Sequence, residues 1–309
     1  MQFVGATTDR SARCAARGPA GSAARERRDC AGARRCTALR AARRPDDRGL
    51  PLDDRADARS GGALSSTGGC AARPPPSIMI EIIPGVYQLK SRFVNLYLIA
   101  EPEELTLVDA GVAGSGANLV LRTIAQLNRR PEELRRILIT HADPDHYGDA
   151  NALRQATGAR VCASAGEAAA MARGTMSREI RGSVLVRGTF SVLSRLIMPT
   201  APTPVDEILV PGQKLPVLGG LIVIASPGHT PDHLSFYAPA FKLLFAGDSL
   251  DALSGKPRFV DRPVNWDYAR GLQSVREQVA LGLEIVAVGH GPVTRGKAAL
   301  DALGTAQAS

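Results

Sequence analysis

The chain has 309 residues, enough for one large domain or two small ones around a substantial apolar core. Its net charge of +8 is unevenly distributed. Residues 1–78 contain 15 arginines, no lysine and 8 acidic residues, whereas the rest of the chain contains 23 basic and 22 acidic residues. The basic character therefore belongs to the first quarter, and the near-neutral remainder gives no ground for a nucleic-acid partner.

Residues 1–78 are rich in Ala, Arg, Gly and Ser and poor in β-branched and aromatic residues. Such a segment buries too little apolar surface to offset its ordering entropy, so we predict a disordered extension. Its acidic residues are atypical of a mitochondrial transit peptide, and no apolar run suits a signal peptide or a membrane span. Four of the five cysteines lie here without zinc-finger spacing, which favours a cytoplasmic protein without disulfides. Met79, where periodic sequence begins, is the expected true start.

Short apolar runs separated by turn residues open the segment 79–309, which we expect to form one domain. Antiparallel strands are predicted over 80–83, 86–89, 93–99 and 105–108. They are followed by a helix over 115–128, a strand over 137–140, a helix over 147–157 and a strand over 160–163. Later strands are predicted over 207–210, 221–225, 234–237, 243–245 and 285–288, with a helix over 268–281 and a terminal helix. This order predicts two sheets sandwiched between helices.

Residues 172–203 stand apart from this alternation. Their apolar residues have partly helical spacing and are interrupted by arginines. We interpret the segment as a helix or helix pair that covers the core. The alternatives are a substrate-facing cap and the surface of a homodimer, whereas its arginines and its shortness exclude a membrane-spanning helix.

The five histidines share one property: each lies at, or a few residues beyond, the end of an apolar strand-like run. They are His141, His146, His229, His233 and His290. Strand ends at one edge of a sandwich converge in space, so these side chains are expected to share a site.

The densest cluster is His141, Asp143, Asp145 and His146, four ionisable groups within six residues after a predicted strand. In a tight turn, alternating positions can point the same way. His141 and Asp143 can then hold one cation while Asp145 and His146 reach a second. Imidazole and carboxylate donors suit zinc, iron or manganese. A lone histidine is usually a satisfied core residue, but this clustering favours a metal site.

The run His141-Ala-Asp-Pro-Asp-His146 resembles the H-x-H-x-D-H motif of the metallo-β-lactamase superfamily. Four further pieces follow that family's order: Asp109 in L-V-D-A-G, His229 in S-P-G-H-T, Asp248 in F-A-G-D, and His290 in G-H-G. Any single piece is weak, but five in order, from about residue 80 to the C-terminus, are specific.

The resemblance implies an α/β fold, the four-layer αββα sandwich, with two divalent metal ions. In that family, the residue matched by His229 binds the first metal, that matched by His290 binds the second, and that matched by Asp248 bridges both. Asp109 would support a metal-bound histidine from behind. The family's second histidine is Asp143 here, and a carboxylate favours iron or manganese more than imidazole does. Zinc is the preferred metal, with iron and manganese as alternatives and a weakened first site as another consequence.

Three other residues have two interpretations each. His233 is either structural or a support for the ligands. Tyr147 either polarises a substrate oxygen or only begins the next helix. Cys162 lies in an apolar run and is interpreted as a buried, inert thiol.

The resemblance implies hydrolysis of a small acyl substrate by a metal-bound hydroxide, with Asp145 holding the second metal and orienting the nucleophile. It is closest to the glyoxalase-II-like and lactonase-like branches, which act on esters, thioesters or lactones. However, we see no long C-terminal helical extension of the glutathione-binding kind, no inserted nuclease domain, and no secretory signal as a β-lactamase would carry. An iron-dependent oxidoreductase acting on persulfides or oxygen, and a non-catalytic ligand-binding relative, are the alternatives.

Overall fold

The computed structural model describes residues 79–178, 198–260, 262–296 and Leu303. The predicted disordered extension over 1–78 and, apart from Leu303, the predicted terminal helix lie outside these residues. Of the helical cover predicted over 172–203, residues 179–197 also lie outside them, and the described parts, 172–178 and 198–203, are turns and irregular chain. Within the described residues, no helix combines the length and the apolar character needed to cross a bilayer.

The first sheet contains seven strands whose order in the sheet is their order in the chain. They are β1 (Met79–Ile83), β2 (Val86–Ser91), β3 (Val94–Ala100), β4 (Leu105–Val108), β5 (Leu134–Leu138), β6 (Arg160–Ala163) and β7 (Glu207–Ile208). The first four strands pair antiparallel, and the pairs from β4 to β7 are parallel. The four antiparallel strands expected at the start of the domain are confirmed.

The second sheet is built from later strands. The remaining strands are β8 (Lys214–Leu215), β9 (Leu221–Ala225), β10 (Leu234–Ala238), β11 (Leu243–Gly247), β12 (Leu250–Asp251), β13 (Arg258–Phe259), β14 (Ile285–Val288) and β15 (Thr294–Arg295). Six of them form the sheet β15-β14-β11-β10-β9-β8, and β12 pairs with β13 in a separate ribbon. Because β10 is antiparallel to both β9 and β11, and β14 is parallel to β11, strands β9, β11 and β14 all point the same way.

Helices cover the outer faces of both sheets. They are α1 (Gly116–Gln126), α2 (Pro144–Tyr147), α3 (Ala150–Thr157), α4 (Ala165–Met171) and α5 (Tyr268–Val279), with short 3-10 turns at Pro131–Glu133, Pro239–Phe241 and Arg262–Val264. Residues of α1, α3 and α4 pack on the first sheet, and Val275 of α5 packs on the second. The predicted αββα sandwich is confirmed.

Side-chain alternation along β11 shows how the sandwich is filled. Leu243 and Phe245 face the space between the two sheets, whereas Leu244 and Ala246 face the helical layer on the other side. All four are buried, since a strand covered on both faces needs apolar residues at every position. This is why these strands look like continuous apolar runs in the sequence.

Two predicted elements are wrong in detail. The helix expected over 147–157 is divided into α2 and α3 at Gly148, where a separate loop comes so close that a Cβ would lie 2.6 Å from the Ala113 backbone nitrogen. The carboxylate of Asp149 accepts hydrogen bonds from the N–H groups of Gly114 and Ala117 and fixes the break. The strand expected over 137–140 begins and ends earlier, as β5, since the Thr140 N–H donates to the Asp109 side chain. The strand predicted over 207–210 is present as the shorter β7. Helix α4 and the other two-residue strands were not predicted, because they are too short to show a period.

Replacing Phe236 by Ala should destabilise the sandwich. Phe236 lies on β10, is fully buried, and packs in the core between the sheets. We expect a loss of roughly 3–5 kcal/mol in unfolding free energy, from the lost burial and the cavity left behind. Urea unfolding followed by circular dichroism measures it. Phe241→Ala is the matched control, because Phe241 is 38% exposed; equal losses for the two variants would contradict this description of the core.

Candidate metal centre

The candidate ligands lie at one edge of the sandwich, where strands of both sheets end. The turn carrying His141 and His146 follows β5, whereas His229 follows β9, Asp248 follows β11 and His290 follows β14. Since β9, β11 and β14 point the same way, their carboxyl ends meet at this edge. The structure therefore brings together ligand candidates that are up to 149 residues apart in sequence, His141 and His290 being the extremes.

The first group of donors is His141, Asp143 and His229, with one donor atom of each within 4.8 Å of the others. His229 Nε2 lies 3.2 Å from Asp143 Oδ2, and His141 Nε2 lies 3.8 Å from the same oxygen. All three residues are buried. This geometry can hold one cation.

The second group of donors is Asp145, His146 and His290, also within 4.8 Å of one another. His290 Nε2 lies 3.4 Å from Asp145 Oδ2, and its other ring nitrogen lies 3.1 Å from the Phe93 carbonyl oxygen. The contact with Phe93 leaves the Nε2 atom of His290 facing the site. This group can hold a second cation.

Asp248 lies between the two groups. Its Oδ1 is 3.3 Å from His146 Nε2, and its Oδ2 is 3.2 Å from His290 Nε2 and 3.8 Å from His229 Nε2. One carboxylate thus approaches histidines of both groups. It is placed to bridge two cations.

Buried atoms without partners show that a metal fits here. Among the described residues, His141 Nε2, His146 Nε2, Asp143 Oδ1 and Asp248 Oδ1 are buried without a hydrogen-bond partner. Leaving such atoms unpaired is costly, and imidazole and carboxylate donors suit a divalent cation. The residues present therefore match the chemistry of a metal centre.

A hydrogen-bonded relay fixes which nitrogen of each histidine faces the metal position. Thr140 Oγ1 lies 3.0 Å from Asp109, to which it donates, and therefore accepts from His141 Nδ1 at 2.9 Å. Asp109 Oδ2 accepts from His146 Nδ1 at 2.8 Å. Both rings thus carry their proton on Nδ1 and keep the Nε2 lone pair for a metal. Asp109 holds this position with a left-handed φ of 60°.

The carboxylates of the site favour positive charge near His290 and His146, which belong to the second donor group. Burial opposes protonation of His290, but the carboxylates of Asp248 and Asp145 together outweigh it and raise the pKa of His290 to about 10. Burial likewise opposes protonation of His146, yet Asp248 and Asp109 raise its pKa well above the ordinary value. By contrast, burial and then the neighbouring His146 lower the pKa of His141. The carboxylates thus favour protonation of His290 and His146, and a divalent metal bound there would take the place of those protons.

His233 supports the loop that carries Asp248. Its Nδ1 donates to Ser226 Oγ at 2.7 Å, and its Nε2 accepts from the backbone N–H of Asp248 at 3.2 Å. Burial lowers the pKa of His233 to about 3, which keeps the ring neutral. Gly247 is needed beside it, since a Cβ would lie 2.9 Å from His233 Nε2 in a residue with a φ of 55°. His233 thus lies behind the ligands.

Tyr147 and Cys162 lie in the core. Tyr147 is fully buried at the end of α2, and its hydroxyl lies 3.3 Å from the Thr175 carbonyl oxygen, to which it donates. It is absent from the residues that line the cavity beside the metal centre. Burial raises the pKa of the Cys162 thiol to about 12. That thiol therefore stays protonated.

Three residues of the site escaped sequence reasoning: Thr140, Glu167 and Arg178. Glu167 is fully buried and accepts hydrogen bonds from the Ala142 N–H and the Thr230 hydroxyl, so it joins the two loops that carry His141 and His229. The Arg178 guanidinium donates to Asp143 Oδ2 and to the Val264 carbonyl oxygen. Of these three, only Thr140 could have been identified from the sequence, because its hydroxyl directly precedes His141 of the histidine motif.

A cavity of about 310 Å³ opens beside the ligands. Its lining includes ligand candidates, Arg178 and Asp251. The apolar part of the lining is formed by Met176, Met198, Leu253, Val260 and Val264. An acyl group of modest size can therefore lie against apolar surface next to the donors.

The sandwich and its two groups of histidine and aspartate donors define a metallo-hydrolase type of protein. The sequence profile of the metallo-β-lactamase superfamily matches residues 89–290. The chain belongs to that superfamily, and the fold and family predicted from its motifs are confirmed.

Curated relatives and solved structures agree with this assignment. The chain is 28% identical to the uncharacterised protein YobT of Bacillus subtilis over 65% of this chain and 84% of that protein. It is 30% identical to a hydroxyacylglutathione hydrolase of Pseudomonas putida over 66% of this chain. A metallo-β-lactamase with a HARLDQ motif from Cronobacter sakazakii has a TM-score of 0.58 at 26% identity, covering 75% of this chain and 92% of that protein. The chain is thus an enzyme of the superfamily's metal-dependent hydrolase class.

The hydroxyacylglutathione hydrolases are matched over only part of their length. The match covers 64% of the Pseudomonas putida enzyme and 37% of one from Rhodobacter capsulatus. Their substrate therefore does not transfer to this chain with the fold.

Replacing Thr140 by Val should weaken metal binding without unfolding the protein. The change removes the hydroxyl that links His141 to Asp109 and keeps the side-chain shape, so the ring loses its fixed orientation. We expect metal affinity to fall roughly 10–100-fold. Competition with a chromophoric chelator measures it. Thr140→Ser, which keeps the hydroxyl, should behave as wild type, and an unchanged affinity in the Val variant would show that the relay does not orient the ring.

Proposed function

We propose that the chain hydrolyses a small ester, thioester or lactone with two divalent metal ions. The observation that carries the proposal is the position of Asp248, whose two carboxylate oxygens approach histidines of both donor groups. A bridging carboxylate places two cations close enough to act on one substrate bond. When bound, such cations supply hydroxide at neutral pH and polarise an acyl carbonyl.

Each ligand candidate has a proposed role in this centre. His141, Asp143 and His229 hold the first metal position. Asp145, His146 and His290 hold the second. Asp248 contributes to both, and Asp145, which is partly exposed to the cavity, also orients the nucleophile toward the substrate carbonyl.

Zinc is the preferred metal, because six of the seven ligand candidates, four histidines with Asp145 and Asp248, match a zinc-type mixture of imidazole and carboxylate donors. The exception is at the first position, where Asp143 takes the place of a histidine and adds a harder oxygen donor. Iron and manganese accept that donor more readily. Elemental analysis of protein purified from cells grown with each metal distinguishes them.

The apolar side chains that line the cavity support an acyl substrate. Leu253 is 67% exposed, and Val260 and Val264 line the same cavity. Burying a substrate's hydrocarbon against these side chains stabilises the complex by roughly 25 cal/mol per Å² of apolar area. The surface favours esters, thioesters or lactones with an apolar acyl part over highly charged substrates.

A second candidate function is iron-dependent oxidation of a persulfide. It is favoured by one observation, the oxygen donor of Asp143 within the first group. Oxygen consumption with glutathione persulfide, by protein loaded with iron, separates it from hydrolysis of an ester panel by the same preparation.

Replacing Asp248 by Ala should abolish hydrolysis. The variant loses the carboxylate shared by both donor groups, so kcat should fall at least roughly 100-fold and metal content should drop. Initial rates on a panel of aryl esters, thioesters and lactones measure the change, with metal content followed by elemental analysis.

Glu103→Ala is the control for that experiment. Glu103 is exposed in the loop between β3 and β4, at the opposite end of β4 from Asp109. It should keep both rate and metal. Turnover that persists in the Asp248→Ala variant, or in wild type freed of metal by a chelator, would refute the proposed mechanism.

A further inference from the structure

Arg178 lies at the first donor group, outside every motif found in the sequence. Its guanidinium donates one hydrogen bond to Asp143 Oδ2 and another to the Val264 carbonyl oxygen. The side chains of Arg178 and Asp143 are 19% and 8% exposed, so the pair is largely withdrawn from water. A largely buried ion pair of this kind is screened little by salt.

The oxygen that binds Arg178 is the oxygen that faces the first metal position. Asp143 Oδ2 is also the atom 3.2 Å from His229 Nε2 and 3.8 Å from His141 Nε2. The Arg178 guanidinium therefore pairs with the very oxygen that a cation at the first position would approach. A cation entering this position therefore meets a carboxylate whose charge is already compensated.

In the part of the chain that the structure describes, the second donor group has no equivalent of Arg178. The basic side chains within 4.0 Å of the carboxylates of Asp145 and Asp248 there are all histidines, which are themselves ligand candidates. Arg178 is not a ligand candidate, and its guanidinium stays charged at any physiological pH. The two metal positions thus differ in kind, since a permanent cation is paired with a ligand oxygen at the first position.

We propose that Arg178 is a fixed cation that makes the two metal positions unequal, so that the chain binds one divalent ion tightly at the second position and another only weakly at the first. This inference rests on the ligand assignment of the proposed function. Arg178 acts through Asp143 and is a positioning residue. It sets how many metals the enzyme carries at a given free metal concentration.

Titrating metal-free, full-length protein with Zn²⁺ tests the inference, and Co²⁺ absorption reports the coordination of each equivalent. For wild type we expect one tight equivalent and a second bound at least roughly tenfold more weakly. Arg178→Gln removes the charge and keeps an amide that can bond to Asp143. The weaker equivalent, which we assign to the first metal position, should then bind roughly 10–100-fold more tightly. Arg178→Lys keeps the charge and should resemble wild type. Arg173→Met, at an exposed arginine, is the matched control.

The outcomes separate this inference from the proposed function. Two equally tight equivalents in wild type, or a second affinity that Arg178→Gln leaves unchanged in a variant with a wild-type circular dichroism spectrum, would overturn the role of Arg178 alone. Loss of the tight equivalent in Asp145→Ala supports its placement at the second position. Wild-type protein that binds neither metal would refute the proposed function itself, and the inference with it. If Arg178→Gln does not fold, Arg178→Met supplies the test, because it also removes the charge and should likewise tighten the more weakly bound equivalent.

Discussion

The structure depends on keeping seven ionisable side chains close together at the joint edge of two sheets. Carboxylates and imidazoles buried at this density repel or attract one another strongly, and their unpaired atoms have no water to satisfy them. Three buried apolar clusters, which include residues of the strands that lead to the site, stabilise the sandwich and offset this cost. A divalent cation is the partner that relieves both problems at once. Without a cation, these buried ionisable groups therefore destabilise the fold.

Much of this arrangement could be predicted from the sequence. The apolar runs that become β9, β11 and β14 each end just before a ligand candidate, so strand geometry alone brings His229, Asp248 and His290 to one edge. The cluster from His141 to His146 is local, and its spacing shows in the sequence. The family resemblance then implied two metals and a bridging role for Asp248, which spacing alone leaves open and which are part of the proposed function.

What escaped prediction depends on tertiary contacts between distant residues. Arg178 is one of many arginines in the sequence, and its pairing with Asp143 follows only from the course of the chain between them. Glu167 lies in α4, an element too short to show a hydrophobic period. The break at Gly148 likewise depends on the close approach of a separate loop, at Gly111 and Ala113. Helix propensity depends on local sequence alone and therefore cannot predict such tertiary contacts.

The supports of the two donor groups also differ, and this difference bears on how the site can vary. Asp109 directly follows β4 of the first sheet and holds both His146 and, through Thr140, His141, so one buried carboxylate orients a ligand candidate of each position. Among the described residues, Asp143 has no such buried carboxylate behind it, and its partner Arg178 lines the cavity. A residue held only from the cavity can be exchanged without rebuilding the core, whereas Asp109 cannot. Variation in metal preference is therefore expected to concentrate at Asp143 and its partner, while the Asp109 relay stays constant because both positions depend on it.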